Sequence, residues 1–368
     1  MRKDWEVKKW SEVLSIINGK NQKKVEDNNG AYPIYGSGGV MGYASDYLCP
    51  GNSVIIGRKG NINKPLFVKE KFWNVDTAFG LISKEGILDS KYLFYFCVNY
   101  NFEKLNKAVT IPSLTKTDLL NIRIDLPSLQ TQQQVVEEFD CLISIIEKQK
   151  KQLEELDNLA QSIFYDMFGS IHNNKKSLDI NNLNDLCEFI KDGTHNTPQY
   201  TDDKVNGVKF LSAKDVVEGC INWENIKYIP YELHAELHKR IAPQRDDILL
   251  CKNGTTGIAA IVDTDDVFDI YVSLALLRFK KPYNAIYVLY AINNPYTKEQ
   301  FNSSLKGVGV PNLHLGEIKK ARILWAPLSL QQEFASKIEA IEKQKKLIKK
   351  SIKETEDLFN SRMDYYFN

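Results

Sequence analysis

The feature that most constrains this chain is that it repeats itself once, with a period near 195 residues. Residues 107–114 read KAVTIPSL and residues 306–313 read KGVGVPNL, and Ile122-Arg123-Ile124 is answered by Ala321-Arg322-Ile323. In each half a proline (Pro127, Pro327) and a glutamine pair (Gln132-Gln133, Gln331-Gln332) then precede a long helical pattern. Inside that pattern the hexapeptide IEKQKK stands twice, at 146–151 and 341–346. The offset is 199 at the glutamine pair and 195 at the hexapeptide. The difference is about one helical turn of ~3.6 residues, a deletion that a helix absorbs with little rotation. Upstream, GNSVIIGRKG at 51–60 lines up with RDDILLCKNG at 245–254, and Tyr92-Leu93-Phe94-Tyr95 with Tyr287-Val288-Leu289-Tyr290. Chance supplies one such match, not six in the same order.

Each half has the same coarse grammar. Short runs rich in Val, Ile and Phe, separated by Gly and Asn turns, predict strands at 53–58, 66–69 and 79–83, then at 248–252, 258–262 and 272–279. An aromatic helix follows in each half, at about 89–104 and 284–292, then a polar loop, a short helix and one more strand. This is a mixed α/β globule, made twice. The terminal helices carry a heptad seam. In the first it runs through Val135, Phe139, Leu142, Ile146, Gln149, Leu153, Leu156, Ala160, Ile163 and Met167. In the second it runs through Phe334, Ile338, Ile341, Lys345, Ile348, Ile352, Thr355 and Phe359. Two such seams in one chain are expected to pair as an antiparallel coiled coil, with Gln149 and Lys345 as polar interruptions that set register. The expected organisation is a globule at 1–128, a helix at 129–169, a polar linker at 170–182, a globule at 183–327 and a helix at 328–368.

Composition narrows the class. At 368 residues, 43% hydrophobic and 26% charged, the chain suits two soluble cores. No apolar run of about 18 residues predicts a membrane span. The opening MRKDWEVKKWSEVL lacks the apolar stretch of a secretion signal. Cys49, Cys97, Cys141, Cys187, Cys220 and Cys251 lie far apart with no CxxC pair, the usage of reduced thiols in a cytoplasmic protein. The net charge of +1 hides a distribution: residues 1–128 carry +5 and residues 129–169 carry −5. A basic first globule beside an acidic helix gives modest support for local contact with nucleic acid.

Catalytic patterns fail on inspection. Tyr35-Gly36-Ser37-Gly38-Gly39 is a glycine-rich turn, but an adenine methyltransferase also needs an Asn-Pro-Pro-aromatic cluster. Asn294-Pro295-Tyr296 lacks the second proline and lies in the other repeat. His234 and His238 stand at i and i+4, yet Ala235 occupies the position where a zinc protease has Glu, and the pair is expected on a solvated helix end. In Lys252-Asn253-Gly254-Thr255-Thr256-Gly257 the lysine precedes the glycines, unlike a phosphate loop. The sequence offers neither an active site nor a metal or cofactor site.

What remains suits reading a duplex. Polar loops offer Ser37, Arg58, Lys59, Asn61, Asn63 and Lys64 in the first half, and Thr194, His195, Asn196, Lys214, Lys252, Asn253, Thr255 and Thr256 in the second. Arg and Lys address guanine edges or phosphates, and Asn grips adenine bidentately. The recurrence of Arg58-Lys59-Gly60 as Lys252-Asn253-Gly254 sets these positions apart from ordinary solvated turns.

The whole pattern resembles the specificity (S) subunit of type I restriction-modification systems. The resemblance rests on YPIYGSGGVMGY, GNSVIIGRKGNI, GTHNTPQY, GVKFLSAKDV and DDILLCKNGTTG, and on the doubled IPSL/VPNL, proline and QQ junction into each helix. It implies that each globule is a target-recognition domain reading one half of a split, asymmetric DNA site, with the two helices as spacer. It also implies docking of methyltransferase subunits, two by expectation, and of a restriction subunit, with S-adenosylmethionine and ATP bound on those partners. The competing reading is a non-catalytic coiled-coil scaffold for other proteins; DNA binding separates the two.

Overall fold

The fold comes from a computed structural model that describes residues 5–107, 111–174, 176–305 and 312–368. Of the doubled junction motif, 108–110 and 306–311 lie outside them. The chain divides into two compact units, Met1–Lys151 with Ile348–Asn368, and Gln152–Leu347.

The duplication is repeated in strand topology. In the first unit a four-stranded antiparallel sheet has the order Leu14–Asn18, Ala78–Ser83, Ser53–Gly57, Leu66–Val68. A second sheet places Tyr32–Gly36 between antiparallel Gly39–Ala44 and parallel Trp73–Asn74. The second unit has the counterparts: Cys187–Asp192, Leu274–Phe279, Ile248–Cys251, Ala259–Ile261 in one sheet. In its other sheet Val208–Leu211 lies between antiparallel Lys227–Ile229 and parallel Phe268–Ile270. Ser53–Gly57 and Ile248–Cys251 are buried along their whole length, which is why they read as continuous apolar runs without alternation.

Residues 170–182, expected as a polar linker, end in a strand. Asp179–Asn182 is a strand paired antiparallel with Arg322–Trp325, as Glu6–Lys9 pairs with Arg123–Leu126 in the first unit. Asn174 turns the segment before it, its side chain accepting from the Leu178 amide at 2.9 Å and donating to the Leu178 carbonyl at 2.6 Å. The polar composition is that of a hydrogen-bonded turn and an edge strand.

The glutamine pair marks a buried pin. Gln132 accepts from the Asp89 amide at 2.7 Å and donates to the carbonyls of Pro127 and Ile87 at 2.9 and 3.0 Å. Gln331 accepts from the Asn284 amide at 2.9 Å and donates to the Ala326 carbonyl at 2.8 Å. Asp89 and Asn284 are the N-caps of the aromatic helices Ser90–Asn99 and Ala285–Asn293. Each glutamine therefore ties the start of one helix to the start of another. Tyr92 and Tyr287 complete the joint, donating to the carbonyls of Asp125 and Leu324 at 2.9 and 2.6 Å.

The two 40-residue helices, Leu129–Phe168 and Leu328–Phe367, each contribute to both units. In the first unit Val135, Phe139 and Leu142 are buried and Ile146 and Gln149 half-buried on the first helix, and Ile352 is buried and Ile348, Thr355 and Phe359 half-buried on the second. Phe139 packs on Phe359 with ring centroids 5.2 Å apart, Gln149 Nε2 donates to Ser351 Oγ at 2.8 Å, and Glu138 pairs with Arg362. In the second unit Phe164 packs on Phe334 at 5.5 Å, with Ala160, Ile338 and Ile341 buried and Leu153, Leu156, Ile163 and Met167 half-buried. Lys345 is half-buried there, and Asp157 and Glu342, each at 2.7 Å, hold its charge although burial opposes it. Helix pairing is antiparallel within each unit. A globule's core therefore takes the first half of its own helix and the second half of the other repeat's, so the unit boundaries fall inside the helices rather than at 128 and 182.

Candidate nucleic-acid interface

In the first unit the buried strand Ser53–Gly57 delivers Arg58 to a turn stitched on two sides. The Arg58 amide donates to the Thr77 carbonyl at 2.8 Å, the Arg58 carbonyl accepts from Leu114 at 2.9 Å, and the Gly60 amide donates to Pro112 at 3.1 Å. Gly60 has φ +77°, the left-handed conformation that a side chain resists. This leaves Lys59 exposed, with the half-buried Arg58 guanidinium donating to the Asp76 carbonyl at 3.4 Å. The Asn61 amide nitrogen lies 3.9 Å from where a Cβ on Gly38 would stand, so the Ser37-Gly38 hairpin turn joins the same surface. Lys64 is exposed. Asn63 is differently employed: its Oδ1 accepts from the Phe102 amide at 2.8 Å and its Nδ2 donates to Asn101 at 3.3 Å, so it braces a neighbouring helical turn.

The hairpin also exposes Val40, Met41 and Tyr43, residues that carry neither charge nor amide and so do not stand out in the sequence as readers. The signal was present in VMGY directly after the glycine turn. Exposed apolar side chains beside polar loops suit contact with thymine methyls or base faces.

In the second unit the loops meet around Asp192. Its carboxylate takes Lys252 Nζ at 2.8 Å, Arg240 at 3.0 Å and His195 Nε2 at 3.3 Å. Burial opposes the charge, but the Lys252 ammonium, with His195 beside it, holds the Asp192 carboxyl below its ordinary range. Lys252, expected as a reader, is buried with its ammonium turned inward, and so supports the loops. Thr194 bridges to the Tyr271 segment, donating to Ile270 at 3.1 Å and accepting from Val272 at 3.0 Å. The Lys252 amide donates to the Ser273 carbonyl at 2.8 Å, and Ser273 Oγ accepts from the Ala213 amide at 2.9 Å, which brings Lys214 to the same strand start. His195, Asn196, Lys214 and Thr255 are exposed, Thr194, Asn253 and Thr256 half-buried, and Thr256 Oγ1 donates to the Lys252 carbonyl at 3.4 Å.

The two turns are built alike. Leu313 donates to the Lys252 carbonyl at 2.9 Å as Leu114 does to Arg58, and Gly254 has φ +75°. The bridges Lys59 with Ser113 and Asn253 with Asn312 correspond.

The histidine pair corrects another expectation. His234 is buried, with Nδ1 2.7 Å from Asp269 Oδ2, and His238 Nδ1 lies 3.5 Å from Asp269 Oδ1. Burial pushes the Asp269 carboxyl up, against the pull of both histidines. The helix Tyr231–Arg240 packs on strand Phe268–Ile270, so His234 is buried there rather than solvated, while His238 is half-buried. Cys49, Cys97, Cys141, Cys187 and Cys251 are free thiols, and among the described residues no helix is long and apolar enough to cross a membrane.

Residues 2–157 and 176–357 each match a family described as the type I restriction modification DNA specificity domain. The MjaVIII type I restriction enzyme specificity subunit of Methanocaldococcus jannaschii is 25% identical over 372 residues, covering 92% of this chain and 86% of that one. The EcoBI type I restriction enzyme specificity subunit of Escherichia coli is 20% identical over 370 residues, covering 89% and 77%. The crystal structure of the type I restriction-modification S subunit from M. genitalium aligns with TM-score 0.60 at 13% identity, over 99% of this chain and 96% of that one.

Proposed function

The chain belongs to the family of type I restriction modification DNA specificity domains, and from that premise we propose that it is the DNA sequence-specificity subunit of a type I restriction-modification complex. One observation carries the reading: the family's domain occurs twice, and each copy presents a polar loop cluster held by the same main-chain stitching. Two clusters with different side chains read two different half-sites, so the target is bipartite and asymmetric; a true two-fold dimer would demand a palindrome. Lys59 and Asn61 with Ser37 serve one half, and His195, Asn196, Lys214 and Thr255 the other. Linking two modest readers raises the effective concentration of each for its half-site.

In this reading the chemistry belongs to partner subunits. Methyltransferase subunits, two by the symmetry of the repeat, would bring S-adenosylmethionine, and a restriction subunit would bring ATP. Such a complex works in the cytoplasm, where its DNA lies. The test is selection from random duplexes by the chain co-expressed with its methyltransferase. Two short specified blocks around an unspecified gap are expected. Absence of sequence enrichment would leave the scaffold reading, and methyl transfer by the pure chain would overturn the non-catalytic assignment.

A further inference from the structure

We propose that the second unit holds a zinc-class divalent ion between His234, His238 and Asp269, a site independent of the DNA-reading assignment. Between its three-stranded sheet and strand Ile248–Cys251 this unit has the helix Tyr231–Arg240, where the first unit runs directly from Ala44 to Ser53. The spacing i, i+4 puts both imidazoles on one helix face, with ring centroids 4.8 Å apart, toward strand Phe268–Ile270.

One ligand atom from each of the three side chains lies within 4.8 Å of the others. His238 Nδ1 and Asp269 Oδ1 are buried and face each other across 3.5 Å without a hydrogen bond. Two ligands held at ~2.0–2.1 Å on a tetrahedral zinc stand about 3.4 Å apart. His234 Nδ1 is 2.7 Å from the other carboxylate oxygen, and with the three ligand atoms spread over as much as 4.8 Å the side chains close in on the ion when it binds. Three protein ligands leave a fourth position for a water.

The repeat supplies the control. Trp73 pairs with Ile34 as Asp269 pairs with Phe210, and Val75 donates to Tyr35 as Tyr271 donates to Leu211. At the position of Asp269 the first unit thus has a buried indole donating to the Lys20 carbonyl at 2.9 Å. An apolar anchor in one copy is replaced in the other by a carboxylate under two imidazoles, a donor set that suits a +2 ion. Bound there, the ion clamps the helix carrying Arg240 to the strand beside Thr194.

Untagged full-length chain, stripped with chelator, is titrated with ZnCl2 by calorimetry and with CoCl2 by visible absorption. One saturable ion per chain, tetrahedral cobalt bands and a Tm rise of roughly 5 °C at 100-fold excess over Kd are expected. His238→Gln, at a half-exposed position, should fold and weaken zinc binding beyond the ~10–100-fold that losing a supporting partner costs. His234→Ala should do the same. No stoichiometric binding by the folded chain, or equal binding by folded H238Q, would reduce the cluster to a hydrogen-bonded His-Asp-His set and overturn the site.

Discussion

Lys59 and Lys252 stand near matching places in the repeat and have opposite roles, because one has a carboxylate to turn to and the other does not. Lys59 is exposed; Lys252 lies within 2.8 Å of buried Asp192. Lys59→Ala should therefore weaken binding to duplexes carrying one half-site by ~1–3 kcal/mol per lost base contact, and Asn253→Ala should affect the other half; binding to duplexes mutated in either half separates them. Equal losses on both halves would reject two independent readers. Lys252→Met should act through stability, on the order of 3 kcal/mol at neutral pH, with Arg240 left to pair Asp192. The pH dependence has a definite sign. Asp192's carboxyl is depressed below 3.8, so its stabilisation is present above that pH and lost as pH falls through the depressed value. The deficit of Lys252→Met should accordingly shrink in melting curves taken below about pH 4. None of this was legible in the sequence, where Asp192 and Lys252 are 60 residues apart. The glycine at φ above +70° was legible, because only the backbone demands it.

At the scale of elements, the heptad period predicted both helices and their inward faces, because a 3.5-residue repeat is a local property. The exchange of half-helices between repeats was not legible, because either half of a seam satisfies the same period. What decides it is aromatic packing. Phe139, Phe359, Met363 and Phe367 close over the first globule's aromatic helix, and Phe164, Phe168 and Phe334 over the second's. A substitution should therefore act on the repeat that does not contain it. Phe359→Ala should loosen the first unit and Phe164→Ala the second, each by about 3–5 kcal/mol, the usual cost of a vacated aromatic site, the half-buried Phe359 at the lower end. Hydrogen exchange read separately over Ser90–Asn99 and Ala285–Asn293 decides. Faster exchange confined to the same repeat as the mutation would contradict the reciprocal core.

For the whole molecule, the two 40-residue helices run from one unit into the other, so their length is the natural ruler for the gap between half-sites. Gln149 faces Ser351, so an in-phase shortening removes 146–152 and 348–354, seven residues opposite seven. A whole heptad keeps both seams in phase. At ~1.5 Å per residue the helices lose roughly 10 Å. At ~3.4 Å per step that is about three base pairs. The shortened chain should prefer the same two half-sequences with about three fewer pairs between them. Affinity should fall as well, because three pairs also rotate one half-site by about 100° on a duplex of ~10.5 pairs per turn. Removing five residues from each helix should do worse, since it turns the seams out of register before any DNA is met. Selection from duplexes with randomised gaps, using deletion variants that retain a cooperative melt, reads the preference directly. If the seven-residue deletion keeps the parental gap, the distance is set elsewhere than in the helices. The two units would then remain readers without that ruler.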